Sequence, residues 1–157
     1  LIDIRRTAIS PMSILREFKQ DEAAGLSRSW LEVFGVDQEG MNTKDFMWHV
    51  FSGGRYPALE GENARAAYLS QVCCEFIVLS NDRNIAYLVD TRPEDRPFSD
   101  FYVFPPNLAW TMAFTHEEGW LGPYYAQHPN YAELNTSNLT RVKKQQEKAY
   151  AKSRGWR

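Results

Sequence analysis

Two segments of the 157-residue chain combine a histidine with side chains that could do chemistry. The first, THEE, places His116 beside Glu117 and Glu118 at the end of a predicted strand. A histidine and a carboxylate are the groups that general acid–base catalysis or a metal site would use. Neighbouring residues of a strand point to opposite faces, so His116 and Glu117 need a bend between them to serve one centre. His116 is therefore a structural histidine, a partner-binding residue or a catalytic residue, and the structural role is favoured.

The second segment, FMWHVFS, carries His49 beside Trp48 in a predicted short helix. At about 100° per residue, the other apolar side chains share one face of this helix. Trp48 then points almost directly away from that face, and His49 lies at its flank. Trp48 is a candidate recognition residue on this pattern, and the alternative is packing in a second layer. For His49 we favour a structural role, in which the ring donates a hydrogen bond to a nearby carbonyl.

A third segment, GWLGPYY, is an aromatic loop punctuated by glycine and proline. Trp120, Tyr124 and Tyr125 are residue types that often anchor protein interfaces, because they bury a large area at low entropic cost. A loop folded over the edge of the core would use the same residues. The sequence leaves both interpretations open.

Standard catalytic and metal-binding motifs are absent from the sequence. There is no HExxH, GxGxxG, GxxxxGK[ST] or GxSxG pattern. Cys73 and Cys74 are adjacent in an apolar run, where they point to opposite faces and are poorly placed to bridge each other. We expect no metal site and no cofactor, and free thiols of this kind are typical of a reducing cytosol.

Composition and charge exclude further classes of protein. With 43% hydrophobic and 14% aromatic residues, the chain is not disordered, and it has no apolar run long enough for a membrane span. No signal peptide is visible at the start, so a cytoplasmic location is expected. Residues 1–140 hold 11 basic and 19 acidic residues, whereas residues 141–157 hold seven basic and one acidic residue. An acidic body favours a basic partner, and nucleic acid is expected only through the basic tail, if at all.

The first part of the chain carries helix signals. Ser10-Pro11 is a typical helix start, with Ser as the N-cap and Pro at the first helical position. Apolar residues then recur at helical spacing from Leu26 to Phe34, and Gly35 lies where a C-terminal cap belongs. Further helices are predicted over 44–52, over 60–71 and from about residue 138 to the C-terminal region.

The second part of the chain changes to the pattern of strands, which are predicted over 73–79, 85–89, 101–104 and 109–115. On the fourth strand, alternate residues from Ala109 to Thr115 are small, and a helix could cover that face. The fold predicted is α+β: N-terminal helices packed on one face of a roughly four-stranded antiparallel sheet, followed by a charged C-terminal helix. The domain predicted is residues 1–140, with residues 141–157 as a basic helical tail.

The chain resembles a small family of uncharacterised bacterial cytosolic proteins, a domain of unknown function of similar length. The resemblance covers about residues 25–127 and does not extend to the basic tail. The residues that carry it are Phe46-x-Trp48-His49-x-Phe51-Ser52, Gly61, Ala64, Trp110-Thr111, Thr115-His116-Glu117 and Gly122-Pro123-Tyr124. The family implies no reaction and no cofactor. By analogy, small proteins of this kind resemble immunity proteins, which bind and block a cognate bacterial toxin.

The leading hypothesis is therefore a non-enzymatic immunity protein that binds a basic toxin through an acidic, aromatic surface. Aromatic side chains would supply buried anchor area, and carboxylates would steer the partner. The residues expected at this surface are Trp48, Tyr56, Glu94, Asp95, Glu117, Glu118, Trp120, Tyr124 and Tyr125. The alternative is a small hydrolase in which His49, His116 and Glu117 converge on a pocket.

Overall fold

A seven-stranded antiparallel sheet organises the protein. The computed structural model describes residues 14–36, 44–93, 100–117 and 121–155. The strands are β1 (Ile14–Glu17), β2 (Leu59–Glu60), β3 (Phe76–Ser80), β4 (Ala86–Val89), β5 (Phe101–Phe104), β6 (Trp110–Phe114) and β7 (Tyr124–Gln127). The helices of the described residues are α1 (Gln20–Phe34), α2 (His49–Ser52), α3 (Gly61–Ser70) and α4 (Tyr131–Ser153). The strands lie in the order β1-β4-β3-β5-β6-β7-β2, and each neighbouring pair is antiparallel.

The prediction of a four-stranded sheet is wrong, although the α+β class is correct. The four predicted strands correspond to β3 to β6, and three more extend the sheet at its two edges. β1 pairs with β4 at one edge, and β7 and β2 complete the other. β1 follows Ser10-Pro11 closely and lies where the predicted helix start implies a helix. The proposed start of that helix, Ser10-Pro11, lies outside the described residues.

Helices cover both faces of the sheet, so the prediction of helices on one face is also wrong. Alternate residues of each central strand enter separate cores, as strand geometry requires. In β3, Phe76 and Val78 join the core beneath α3, whereas Ile77 and Leu79 join the core beneath α1. We call these two sides of the sheet the α3 face and the α1 face. The start of α4 also packs on the α3 face, and α2 packs on the α1 face.

The small-residue face of β6 is the contact surface for α1. Trp30 of α1 and Thr111 of β6 are both completely buried. The indole Nε1 of Trp30 donates a hydrogen bond of 2.9 Å to the Thr111 hydroxyl. The prediction of a helix over this face is therefore confirmed. A side chain larger than threonine at position 111 would displace the indole of Trp30.

The C-terminal helix begins earlier than the sequence suggests. α4 starts at Tyr131 and runs without a break through residue 140, where the charged tail was predicted to begin. Asn138 is its one fully buried residue, and from residue 143 onward almost every side chain is exposed. Arg141 connects the helix to the body through a bond of 3.2 Å to Glu75. None of the described helices combines the length and apolar character needed to cross a membrane.

Candidate functional site

In the segment FMWHVFS only the last four residues form the short helix α2, and Trp48 lies in the turn before it. The prediction that Trp48 points outward is therefore wrong, because the helical wheel does not apply to it. Trp48 is only 1% exposed. Its backbone N–H donates to the hydroxyl of Tyr102 at 3.1 Å, and that hydroxyl donates to Asn81 at 2.6 Å. These bonds hold the turn segment against β5 and the turn after β3.

Asp100 contacts both of the segments that carry a candidate histidine. Its Oδ1 accepts a bond of 3.1 Å from the indole Nε1 of Trp48 and one of 3.0 Å from the backbone N–H of His116. Its Oδ2 lies 2.9 Å from the ring Nδ1 of His116. Because a carboxylate only accepts, this contact places a proton on Nδ1. The carboxylate thus joins the turn segment to the end of β6.

The register of the β5–β6 hairpin explains why Asp100 and His116 meet. Phe101 pairs with Phe114, so the residue before β5 and the residues after β6 share one end of the sheet. Asp100 is not among the candidate residues selected from the sequence. Pairing the two predicted strands as a hairpin would have brought Asp100 close to His116 and identified it as a candidate site residue.

The bend that His116 and Glu117 require is present. β6 ends at Phe114, and the chain then turns, so the two side chains approach each other. His116 Nε2 lies 3.9 Å from Glu117 Oε1. Both side chains are accessible, with 43% of His116 and 40% of Glu117 exposed, whereas Asp100 is only 13% exposed. A shielded carboxylate thus orients an accessible imidazole.

His49 joins the same group of rings. The centroid of the Phe46 ring lies 5.2 Å from the centroid of the His116 ring and 5.6 Å from that of the His49 ring. The centroid of the Trp48 indole lies 4.7 Å from the centroid of the His49 ring and 6.4 Å from that of the His116 ring. The two histidines therefore converge on one pair of aromatic side chains. We call this set, Phe46, Trp48, His49, Asp100, His116 and Glu117, the histidine cluster.

A groove of about 560 Å³ runs beside Phe46. Its charged residues are of both signs, Lys44 and Arg83 against Asp45 and Asp82. Neither histidine lines this groove. The imidazoles of the histidine cluster therefore lie at the surface, above the shielded carboxylate of Asp100. They do not line the neighbouring groove.

The chemistry of the cluster is limited by what surrounds His116. Within the described ranges, its ring nitrogens have polar contacts only with the carboxylates of Asp100 and Glu117. No serine, threonine or cysteine of those ranges is hydrogen-bonded to this ring, so the described residues offer it no side-chain nucleophile in hydrogen-bond contact. Across the same residues, no three His, Cys, Asp or Glu side chains are grouped so that they could hold a metal ion.

Three tyrosines predicted as exposed anchors are buried. Tyr56, Tyr124 and Tyr125 are 8%, 3% and 2% exposed. Tyr124 stacks on Trp48 with ring centroids 6.1 Å apart, on the α1 face. Tyr125 lies on the α3 face, where its hydroxyl accepts a bond of 2.6 Å from Gln71. These side chains do not share one surface, and their burial removes the exposure that the interface prediction requires.

Burial also sets the acidity of two of these tyrosines. It raises the pKa of Tyr124 to about 12, with smaller contributions in the same direction from Glu60 and Glu117. Burial likewise raises the pKa of Tyr125 to about 12. Both phenols are neutral in the physiological range. Four predicted interface residues, Glu94, Asp95, Glu118 and Trp120, lie outside the described residues.

Comparison with known proteins identifies the family of the chain. No significant similarity to a curated protein or to a solved structure was found. Residues 13–125 match a family described as a domain of unknown function, DUF4275. This region includes β1 to β6 and both segments that form the histidine cluster. Since the match covers more than half of the sequence, the chain belongs to the DUF4275 family.

Proposed function

We propose that this chain is a non-enzymatic protein that binds a basic partner protein, in the manner of an immunity protein that neutralises a bacterial toxin. One observation carries the proposal. The Asp100 carboxylate accepts bonds from the Trp48 indole, the His116 backbone and the His116 ring, so it is committed to holding the fold together. The surface above it presents an imidazole and a carboxylate to a partner, and among the described residues no serine, threonine or cysteine is hydrogen-bonded to that imidazole.

Charge supports the choice of a basic partner. Residues 1–140 carry a net charge of −8, from 11 basic and 19 acidic residues. Glu117 is the accessible carboxylate of the histidine cluster. Carboxylates at such a surface speed the encounter with a basic protein and disfavour acidic competitors. Glu94, Asp95, Glu118 and Trp120 remain proposed contacts on the same basis.

The buried aromatics take a supporting role in this proposal. Trp48 is a buried member of the histidine cluster, and its indole contacts both histidine rings. Tyr124 lies against Trp48 from the other side. The partner would then contact Phe46, His49, His116 and Glu117, which lie at or near the surface.

Co-expression with the product of the adjacent gene of the source bacterium tests the proposal. The wild-type chain should restore growth if that product is toxic, and it should be recovered bound to it. Glu117→Lys should weaken binding at least tenfold. Glu133→Lys is the matched control, because this exposed residue lies in the first turn of α4, outside the cluster, and it should bind like the wild type. Equal binding by the Glu117→Lys variant would exclude the cluster as the contact surface.

A small hydrolase is the second candidate, favoured by one specific observation. Asp100 fixes Nδ1 of His116 and leaves Nε2 directed away from it, which is how an aspartate orients a catalytic histidine. Glu117 lies 3.9 Å from Nε2 of His116, and the rings of both histidines lie against Phe46. This candidate predicts hydrolysis of simple ester or phosphodiester substrates that His116→Gln abolishes while the fold stays intact. The same rate in the wild type and in that variant would exclude it.

A further inference from the structure

A second cavity lies on the α3 face, away from the histidine cluster. It has a volume of about 530 Å³ and opens between the end of α3 and the end of β4. This volume is within the range of pockets that hold small molecules. Tyr68, Phe76 and Phe114 form its inner wall, and all three are buried members of the α3-face core. The cavity thus reaches down to the core of the protein.

The mouth of this cavity exposes unusual apolar area. Leu69 is 64% exposed and Val72 is 47% exposed, and both line the cavity. Cys73 lies between the mouth and the core. Burial raises the pKa of its thiol to about 12, so the thiol is neutral and adds to the apolar lining. An apolar molecule at this place would cover side chains that otherwise face water.

One cation in the wall, Arg92, has no carboxylate partner among the described residues. The guanidinium carbon Cζ of Arg92 lies 5.8 Å from the centroid of the Tyr68 ring and 6.0 Å from that of the Phe76 ring. Its Nη2 donates to the carbonyl of Gln71, and its buried Nε has no hydrogen-bond acceptor in the part of the chain that the structure describes. Of the carboxylates that the structure describes, none lies within 4.0 Å of this guanidinium.

The other charged groups that line the cavity leave this charge in place. Arg65 lies on α3 and bonds to Glu62 at 3.2 Å. Asp90 is exposed, and its carboxylate accepts a bond of 3.1 Å from the hydroxyl of Thr91. Arg65 is thus paired with Glu62 and Asp90 with Thr91, which leaves the guanidinium of Arg92 as the described lining group that can pair with an incoming anion. An arginine on a wall of apolar rings favours a carboxylate that enters with an apolar body behind it.

We propose that this cavity binds a small organic acid, with its carboxylate at Arg92 and its apolar body between Val72, Leu69 and the rings of Tyr68 and Phe76. The occupant is a single small molecule, since the cavity holds one short chain or one ring system. This site is independent of the proposed partner surface, because the two lie on opposite faces of the sheet.

Titration with octanoate, followed by amide chemical shifts of the labelled protein, tests this site directly. Octanoate should saturate one site and shift the amide signals of Tyr68, Val72 and Arg92. Octan-1-ol has the same chain without the charge and should bind at least tenfold more weakly, and octylammonium should not bind. No saturable shift at millimolar octanoate, or equal binding of octan-1-ol, would overturn the proposal.

Two pairs of variants distinguish binding at this site from nonspecific binding elsewhere on the protein. Val72→Trp fills the mouth at an exposed position and should abolish binding, whereas Val36→Trp, at an exposed position after α1, should not. Arg92→Gln should weaken octanoate binding at least tenfold, whereas Arg55→Gln, at an exposed residue after α2, should leave it within twofold. Octanoate binding that survives Val72→Trp would contradict the site, even if Arg92→Gln failed to fold.

Discussion

The Asp100 carboxylate binds His116 twice, through the backbone N–H at 3.0 Å and through the ring Nδ1 at 2.9 Å. A single side chain therefore fixes both the position of the chain after β6 and the orientation of the imidazole. The third bond, from the indole of Trp48, extends this control to the segment that carries His49. Geometry at the candidate site and stability of the fold consequently depend on the same carboxylate.

Asp100→Asn should destabilise the protein by about 1–3 kcal/mol, because the amide group cannot accept all three of these bonds. Urea unfolding followed by tryptophan fluorescence measures the change. Asp90→Asn is the control, since Asp90 is exposed and its described bond is to the neighbouring Thr91. The control should change the free energy of unfolding by less than about 0.5 kcal/mol. An equally small change in Asp100→Asn would show that the carboxylate does not hold the site.

Thr111→Val should also destabilise the protein by about 1–3 kcal/mol, because it leaves the buried indole N–H of Trp30 without an acceptor. Thr111→Ser keeps the hydroxyl and should lose only about 0.8 kcal/mol for the missing methyl group. Thermal and urea unfolding of the two variants provide the comparison. If valine were tolerated as well as serine, the bond between α1 and β6 would not contribute to stability.

The stability of the protein should fall as pH rises from about 10 to about 12. The pKa of Tyr124 is near 10 in the unfolded chain and about 12 in the folded protein. In this window the unfolded state has lost a proton that the folded state still binds, so alkali favours unfolding. Tyr124→Phe removes the ionising hydroxyl and keeps the ring that stacks on Trp48.

Urea unfolding at several pH values measures this effect. The free energy of unfolding of Tyr124→Phe should fall less steeply above pH 10, by up to ~1.4 kcal/mol per pH unit, the value for one proton. Below pH 9 the slopes of the two proteins should agree. Identical slopes between pH 10 and 12 would contradict the raised pKa.

Removal of residues 143–157 should leave the fold intact. Nearly all side chains of this part of α4 are exposed, and the bond of Arg141 to Glu75 lies before the cut. The free energy of unfolding should change by less than about 0.5 kcal/mol, measured in urea beside the full chain. A loss of several kcal/mol would mean that the basic helix packs on the body.

The central strands and the main helices follow from the sequence because their signals are local. β5 lies over the four residues predicted for it, and α1 ends before Gly35 as its capping position indicates. The edge strands depend on distant pairing. β1 pairs with β4, about 70 residues further along the chain, and β2 has only two residues, so no local pattern marks either strand.

The sequence identifies only part of the candidate site, because the rest of the site depends on contacts between residues that are distant in the chain. His116 and Glu117 were selected from their residue types and position after a strand. The burial of Trp48 was missed because it depends on turns at 44–48 and on an acceptor 52 residues away. Asp100 was missed because a carboxylate before a strand is ordinary in sequence, and its importance comes from the hairpin register.

Titration of the partner's activity tests the central claim that this chain acts by binding and not by catalysis. The toxic activity of the adjacent gene's product is measured against increasing amounts of the chain at short and long incubation times. Stoichiometric binding predicts a linear fall that ends at one chain per partner and does not change with time. Loss of activity at a hundredfold lower ratio, growing with incubation and abolished by His116→Gln, would contradict the claim and establish an enzyme.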